Sequence, residues 1–174
     1  MAQLDRLGLA AFNSLPPDEA ASTLMACCSS PRWARLVAAG RPYSSVDEAC
    51  RAADSALYEL AERDIDEALA GHPRIGGRAG AGHSVWSDQE QAGVANAADD
   101  VHAALAEANR AYEQRFGHVY LVCATGKSAD ELLAILHDRL TNDAPTERRV
   151  VRSELGKINR IRLERMLADG SRRR

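Results

Sequence analysis

Apolar residues recur at spacings of three and four along most of this chain, which predicts helices joined by short loops. Pro16, Pro17, Asp18 and Glu19 put prolines and acids where a helix amino terminus favours them, ahead of an apolar run through Leu24, Met25 and Cys28. Pro31 opens a second, short helix ending near Gly40. Ser45-Val46-Asp47-Glu48 has the form of a capping box before an alanine-rich segment that breaks near Asp64 and ends before His72. From Asp88 onward Val94, Ala98, Val101, Leu105, Ala108 and Tyr112 line one face, predicting a helix that ends at Gly117. Ser128-Ala129-Asp130-Glu131 is another capping box, and Pro145 starts the last helix. There Val151, Leu155 and Ile158 form a stripe whose next member, at ~100° per residue, is Arg162. An arginine is thus expected on the apolar face. A partner carboxylate or a snorkelling side chain accounts for that as well as a ligand contact does.

The run Val119-Tyr120-Leu121-Val122-Cys123 is β-branched and aromatic, yet the chain has no second comparable run to pair with it. An extended or helical buried segment is therefore expected instead of a sheet. With no internal repeat and no dividing linker, the fold expected is all-α, a single-domain multi-helix bundle over residues 1–168, followed by a basic, disordered tail at 169–174.

Composition narrows the function classes. With 174 residues, 45% hydrophobic and 27% charged, the chain is long enough to bury one sizeable core. A formal charge of -3 offers no basic field for nucleic acid, and no run approaches the ~20 apolar residues of a membrane helix. The start of the chain lacks the charged and apolar regions of a secretory signal. Cys27, Cys28, Cys50 and Cys123 lack both CxxC spacing and scaffold density, which points to reduced thiols and a cytoplasmic protein.

Several chemical signals fail on inspection. Gly126-Lys127-Ser128 lacks the glycine a phosphate loop needs five residues earlier, where Leu121 stands. The glycines after Ile75 follow a helical segment, not the strand of a dinucleotide fingerprint. The histidines at 72, 83, 102, 118 and 137 have no zinc-site spacing, so no metal is expected.

Two signals survive. His72 precedes Pro73, which pushes it out of the helical region and holds it at a helix-to-loop corner; that suits a catalytic group and a helix-ending histidine equally. Ser87-x-x-Glu90 reads first as a capping box. A stiff histidine, a helix amino terminus able to bind an anion, a glycine-rich connector at 76–84 and an inward arginine nevertheless coincide in one chain.

Taken together, Phe12-Asn13, Cys27-Cys28, Trp33, Arg41-Pro42, His72-Pro73-Arg74-Ile75-Gly76, Ser87-x-x-Glu90-Gln91-x-Gly93, Asn109-x-x-Tyr112, Phe116-Gly117, Cys123-Ala124-x-Gly126 and Lys157-Ile158-x-x-x-Arg162-Leu163 resemble the 2-oxo-4-hydroxy-4-carboxy-5-ureidoimidazoline (OHCU) decarboxylase family. The resemblance spans nearly the whole chain. It implies an all-helical homodimer, free of metal and organic cofactor, that converts OHCU to (S)-allantoin and carbon dioxide in urate catabolism. By matching motif positions it implies catalytic roles for His72, Glu90 and Arg162. Substrate contacts would fall on Pro73, on Ser87, Asp88, Gln89, Glu90 and Gln91, and on Val122, Cys123, Ala124, Thr125 and Gly126. Tyr43 departs from the phenylalanine usual in the family, as does the long connector after Gly76. The other readings are a helical dimeric binding or adaptor protein, with the same residues purely structural, and a related helical enzyme acting on another ureido acid.

Overall fold

The computed structural model describes residues 6–76, 89–92, 94 and 99–168. Eight helices have both ends among these residues, and no strand occurs among them: α1 Leu9–Ser14, α2 Pro17–Leu24, α3 Pro31–Ala39, α4 Val46–Tyr58, α5 Glu62–Ala70, α6 Asp99–Phe116, α7 Ala129–Arg139 and α8 Ala144–Leu167. The all-α expectation holds. The tail at 169–174 lies outside the described residues, as does most of the glycine-rich connector. The chain divides into two compact units, one of Met1–Ala68 with Gly156–Arg174 and the other of Leu69–Leu155.

In the first unit α2 packs on α3 and α3 on α4. Phe12, Leu24, Trp33, Val37, Ile65, Leu163 and Met166 are fully buried. Two polar side chains taken into this core find backbone partners: Trp33 Nε1 donates to the Ala53 carbonyl at 3.0 Å, and Arg41 donates to the carbonyls of Phe12 and Leu15 at 2.6 and 2.9 Å. Tyr43, the departure noted above, is buried with its hydroxyl donating to the Val37 carbonyl at 2.6 Å, so the extra oxygen has a partner. Gly156 admits α4 closely, since a Cβ there would stand 3.3 Å from Leu57.

In the second unit α6 packs on α7. Its core joins Ile75, Val94, Leu105, Ala108, Tyr112, Tyr120, Val122, Leu132 and Leu136.

Most helix ends fall where the caps predict. Ser128 and Glu131 form a complete capping box. At Ser45 the box is altered: Ser45 caps the Glu48 amide, but Glu48 reaches back to the Ser44 amide and hydroxyl. Three expectations need correction. The first predicted helix stops at Leu24, and Cys27 and Cys28 lie beyond it in a turn whose amides bond the Leu24 carbonyl. The alanine-rich segment breaks at residues 59–61, because Asp64 accepts the Ala61 amide at 2.9 Å and so starts α5 instead of interrupting it. The helix predicted from Asp88 is not continuous. Ala92 and Val94 donate to the carbonyls of Gln89 and Gln91 in tight turns that interrupt it before the described span of α6, Asp99–Phe116. Helix α1 was not predicted; Gly8 precedes it with no side-chain cap and no acid marks its first turn.

Candidate active site

His72 sits just after α5, buried, with its amide donating to the Leu69 carbonyl at 3.0 Å. The three residues after Pro73 are each tied to a different partner. Arg74 makes a two-pronged pair with Glu113, 2.5 Å from Nε and 2.7 Å from Nη2. The buried Asn109 amide donates to the Ile75 carbonyl at 3.0 Å. Gly76, at φ +71, donates its amide to Gln91 Oε1 at 3.1 Å. The positive φ is one that glycine adopts at little cost. His72 is therefore held by a corner that α6 and Gln91 fasten from outside, which is the positional definition a proton-transfer group needs.

The Gly76–Gln91 bond brings the histidine corner and the Gln89-Glu90-Gln91 piece together. Glu90 is helical and buried, Gln89 is exposed, and Gln91 is half-buried. Ser87 and Asp88 lie outside the described residues, so the predicted Ser87 cap does too.

Val122, Cys123 and Ala124 are buried, while Thr125 and Gly126 form an exposed turn. Residues 119–124 are neither helix nor strand. A buried extended backbone must find hydrogen-bond partners, and charged side chains supply several here. Arg139 Nη1 donates to the Leu121 carbonyl at 2.6 Å, Glu154 Oε2 accepts the Cys123 amide at 2.8 Å, and Lys127 Nζ donates to the Cys123 carbonyl at 2.8 Å.

Arg139 in turn is held by Glu147, 2.5 Å from Nη2 and 2.8 Å from Nε, and the Tyr112 hydroxyl also donates to Glu147. Burial and then the bond to this carboxylate drive the Tyr112 pKa far up, so the phenol stays protonated. Burial alone would lower the Arg139 pKa, but Glu147 and the two tyrosines outweigh it and the guanidinium stays charged.

Arg162 lies in the first unit and is buried, as the stripe predicts; its Nη1 is 3.4 Å from the Cys27 carbonyl. All four cysteines are free and buried thiols. Sequence reasoning gave Asn109 a place in a motif but no role, and it assigned none to Glu147 and Glu154. Each is a polar residue buried on a helix face that also carries apolar core positions, which is the signal that could have found them.

The model of the OHCU decarboxylase family matches residues 13–164. The chain belongs to the OHCU decarboxylase family. Among its relatives, the uric acid degradation bifunctional protein TTL of Arabidopsis thaliana is 28% identical over 150 residues, 82% of this chain and 46% of the relative. This chain thus spans about half the length of that protein. The 2-oxo-4-hydroxy-4-carboxy-5-ureidoimidazoline decarboxylase of Haloferax volcanii is 25% identical over 134 residues, 77% of this chain and 80% of the relative. A solved OHCU decarboxylase, crystallised in the presence of (S)-allantoin, matches with a TM-score of 0.73 at 25% identity, covering 83% of this chain and 96% of that one. A solved (S)-allantoin synthase shares the fold, with a TM-score of 0.71 at 18% identity over 92% of this chain and 54% of that one.

Proposed function

We propose that this chain decarboxylates OHCU to (S)-allantoin and carbon dioxide in the breakdown of urate, with His72, Glu90 and Arg162 as its catalytic residues. The observation that carries the reading is the family match over 13–164, which includes all three residues. The buried, fastened corner at His72 supports it further.

OHCU bears its carboxylate beside a carbon-nitrogen double bond. As the bond to the carboxylate breaks, its electron pair moves toward the ring nitrogen, giving an enol and carbon dioxide. Uptake of one proton at the neighbouring carbon, with the enol hydroxyl proton passing to the ring nitrogen as the carbonyl forms, then yields allantoin. The double bond is the electron sink, so neither metal nor organic cofactor is needed.

His72 is the proton donor, and delivery to one face sets the S configuration. Glu90 orients His72 or binds the ureido group. Arg162 grips the substrate carboxylate with its guanidinium fork. Pro73, the residues 87–91 and the Val122 to Gly126 segment make the remaining contacts. The protein acts as a homodimer in the cytoplasm, a location supported by four free thiols and by the lack, among the described residues, of any helix long and apolar enough to cross a membrane.

Freshly generated OHCU given to the purified chain tests this by circular dichroism. Uncatalysed protonation occurs on both faces and gives racemic allantoin, so a fast, S-enriched signal is the expected result. His72→Asn should abolish it with helical content intact. Racemic product at the spontaneous rate from the wild-type chain would overturn the reading.

A further inference from the structure

Arg74, Ile75 and Gly76, the three residues after Pro73, run antiparallel along one stripe of α6. Arg74 pairs with Glu113, the Ile75 carbonyl accepts from Asn109 at 3.0 Å, and Gly76 lies against Leu105 and His102, whose Cδ1 and Nδ1 are 3.7 and 4.0 Å from where a Cβ would stand. At ~100° per residue, positions 102, 105, 109 and 113 fall within about 80° of one another, so a single helix face meets the whole segment.

At the other end of the corner the His72 amide is bonded to the Leu69 carbonyl, and Pro73 fixes its own φ while restricting the backbone of His72. His72 thus stands between two anchors. Few free torsions separate it from the α6 stripe. Asn109 is only 3% exposed; its Nδ2 donates to Ile75, and among the described residues its Oδ1 has no hydrogen-bond partner. Burying a carboxamide with its oxygen unmatched is costly, so the bond to the corner is what this side chain contributes. Glu113, one turn later, adds a two-pronged charged bond that fixes direction as well as distance.

We infer that Asn109 and Glu113 are positioning residues: acting through Ile75 and Arg74, they hold His72 to one face of the substrate and so fix the S configuration of the product. The enol left after carbon dioxide departs is flat at the carbon that takes the proton, and it is open to protonation from either side. A donor displaced by about 1 Å loses on the order of 10²-fold in its reaction, enough for protonation from the wrong side to compete. This inference rests on the proposed decarboxylase activity with His72 as proton donor.

Variants of the full chain, given freshly generated OHCU at enzyme concentrations where spontaneous decay contributes little, test it through the S-to-R ratio of the first allantoin formed. Asn109→Leu is expected to lower that ratio about tenfold or more, with KM within about threefold of wild type, because substrate binding is left intact while the donor is loosened. Glu113→Ala should lower it less, and Glu113→Gln, which keeps an oxygen for Arg74, should restore most of the loss. Asn109→Ala replaces the leucine variant where that does not fold; if neither folds, Glu113→Ala decides alone. A wild-type ratio in a folded variant would overturn the role of that residue. So would activity lost only in proportion to the unfolded fraction with the ratio unchanged, since the residue would then be purely structural. Racemic product at the spontaneous rate from the wild-type chain would instead overturn the decarboxylase reading, and this assignment with it.

Discussion

Glu154 accepts the backbone amide of Cys123 at 2.8 Å, a bond that spans 31 positions and stands where a neighbouring strand would otherwise serve. Residues 119–124 stay extended inside the second unit because carboxylate, guanidinium and ammonium groups take over ladder hydrogen bonds. Removing the acceptor should strand a buried amide. Glu154→Ala is expected to cost about 1–3 kcal/mol in urea unfolding, and Glu154→Gln, which keeps an oxygen, distinctly less. Faster amide exchange at Cys123 in the alanine variant alone would locate the effect; equal loss in both variants would speak against the bond.

The Arg139–Glu147 pair should behave as a unit. Either charge alone, left buried, is expected to cost on the order of 3–5 kcal/mol, whereas Arg139→Met with Glu147→Leu should be less destabilising than the sum of the two. The Leu121 carbonyl and the Tyr112 hydroxyl still lose partners in that double variant, so full recovery is not expected. A double-mutant cycle by thermal unfolding checks the coupling, and strict additivity would sink it.

Arg74 and Glu113 give a pH-dependent contribution. The hydrogen bonds from Arg74 hold the Glu113 carboxyl below its usual range, with burial opposing. A depressed folded pKa means the stabilisation is complete above the unfolded value of about 4.3 and is lost as pH falls through the lower folded value. Arg74 is 62% exposed at its side chain, so screening limits the pair to roughly 0.5–1 kcal/mol. Arg74→Ala should therefore lower the melting temperature modestly at pH 7, and the gap from wild type should close in acid and shrink with salt.

Gly126 turns the chain after the buried segment at φ +79, and a Cβ there would meet no atom within 4 Å. The penalty for Gly126→Ala is thus conformational alone, about 1–2 kcal/mol, and Gly126→Asn should cost less. If this turn also contacts substrate, KM should rise in the alanine variant beyond what its stability loss explains. Steady-state kinetics well below the melting temperature separates the two effects.

Much of the architecture was legible from local pattern. The Ser128 capping box, the stop at Gly117 and the α8 stripe from Val151 to Arg162 all rest on interactions within one or two helical turns, and a string of residues displays those directly. The burial of Arg162 followed from periodicity alone. The turns after Gln89 were not legible, because the apolar spacing from Val94 onward continues in phase whether or not the backbone does.

For the candidate site, sequence pattern identified His72 and the corner that proline imposes, and it anticipated a lone strand-like run without a strand to join. What fastens that corner, Asn109, Glu113 and Gln91, and what satisfies the extended run, Arg139 and Glu154, was decided only in the folded chain. Helical periodicity and capping are short-range and repeat with the backbone, so sequence carries them. The partner of a buried amide or carboxylate depends instead on which distant segments close around it.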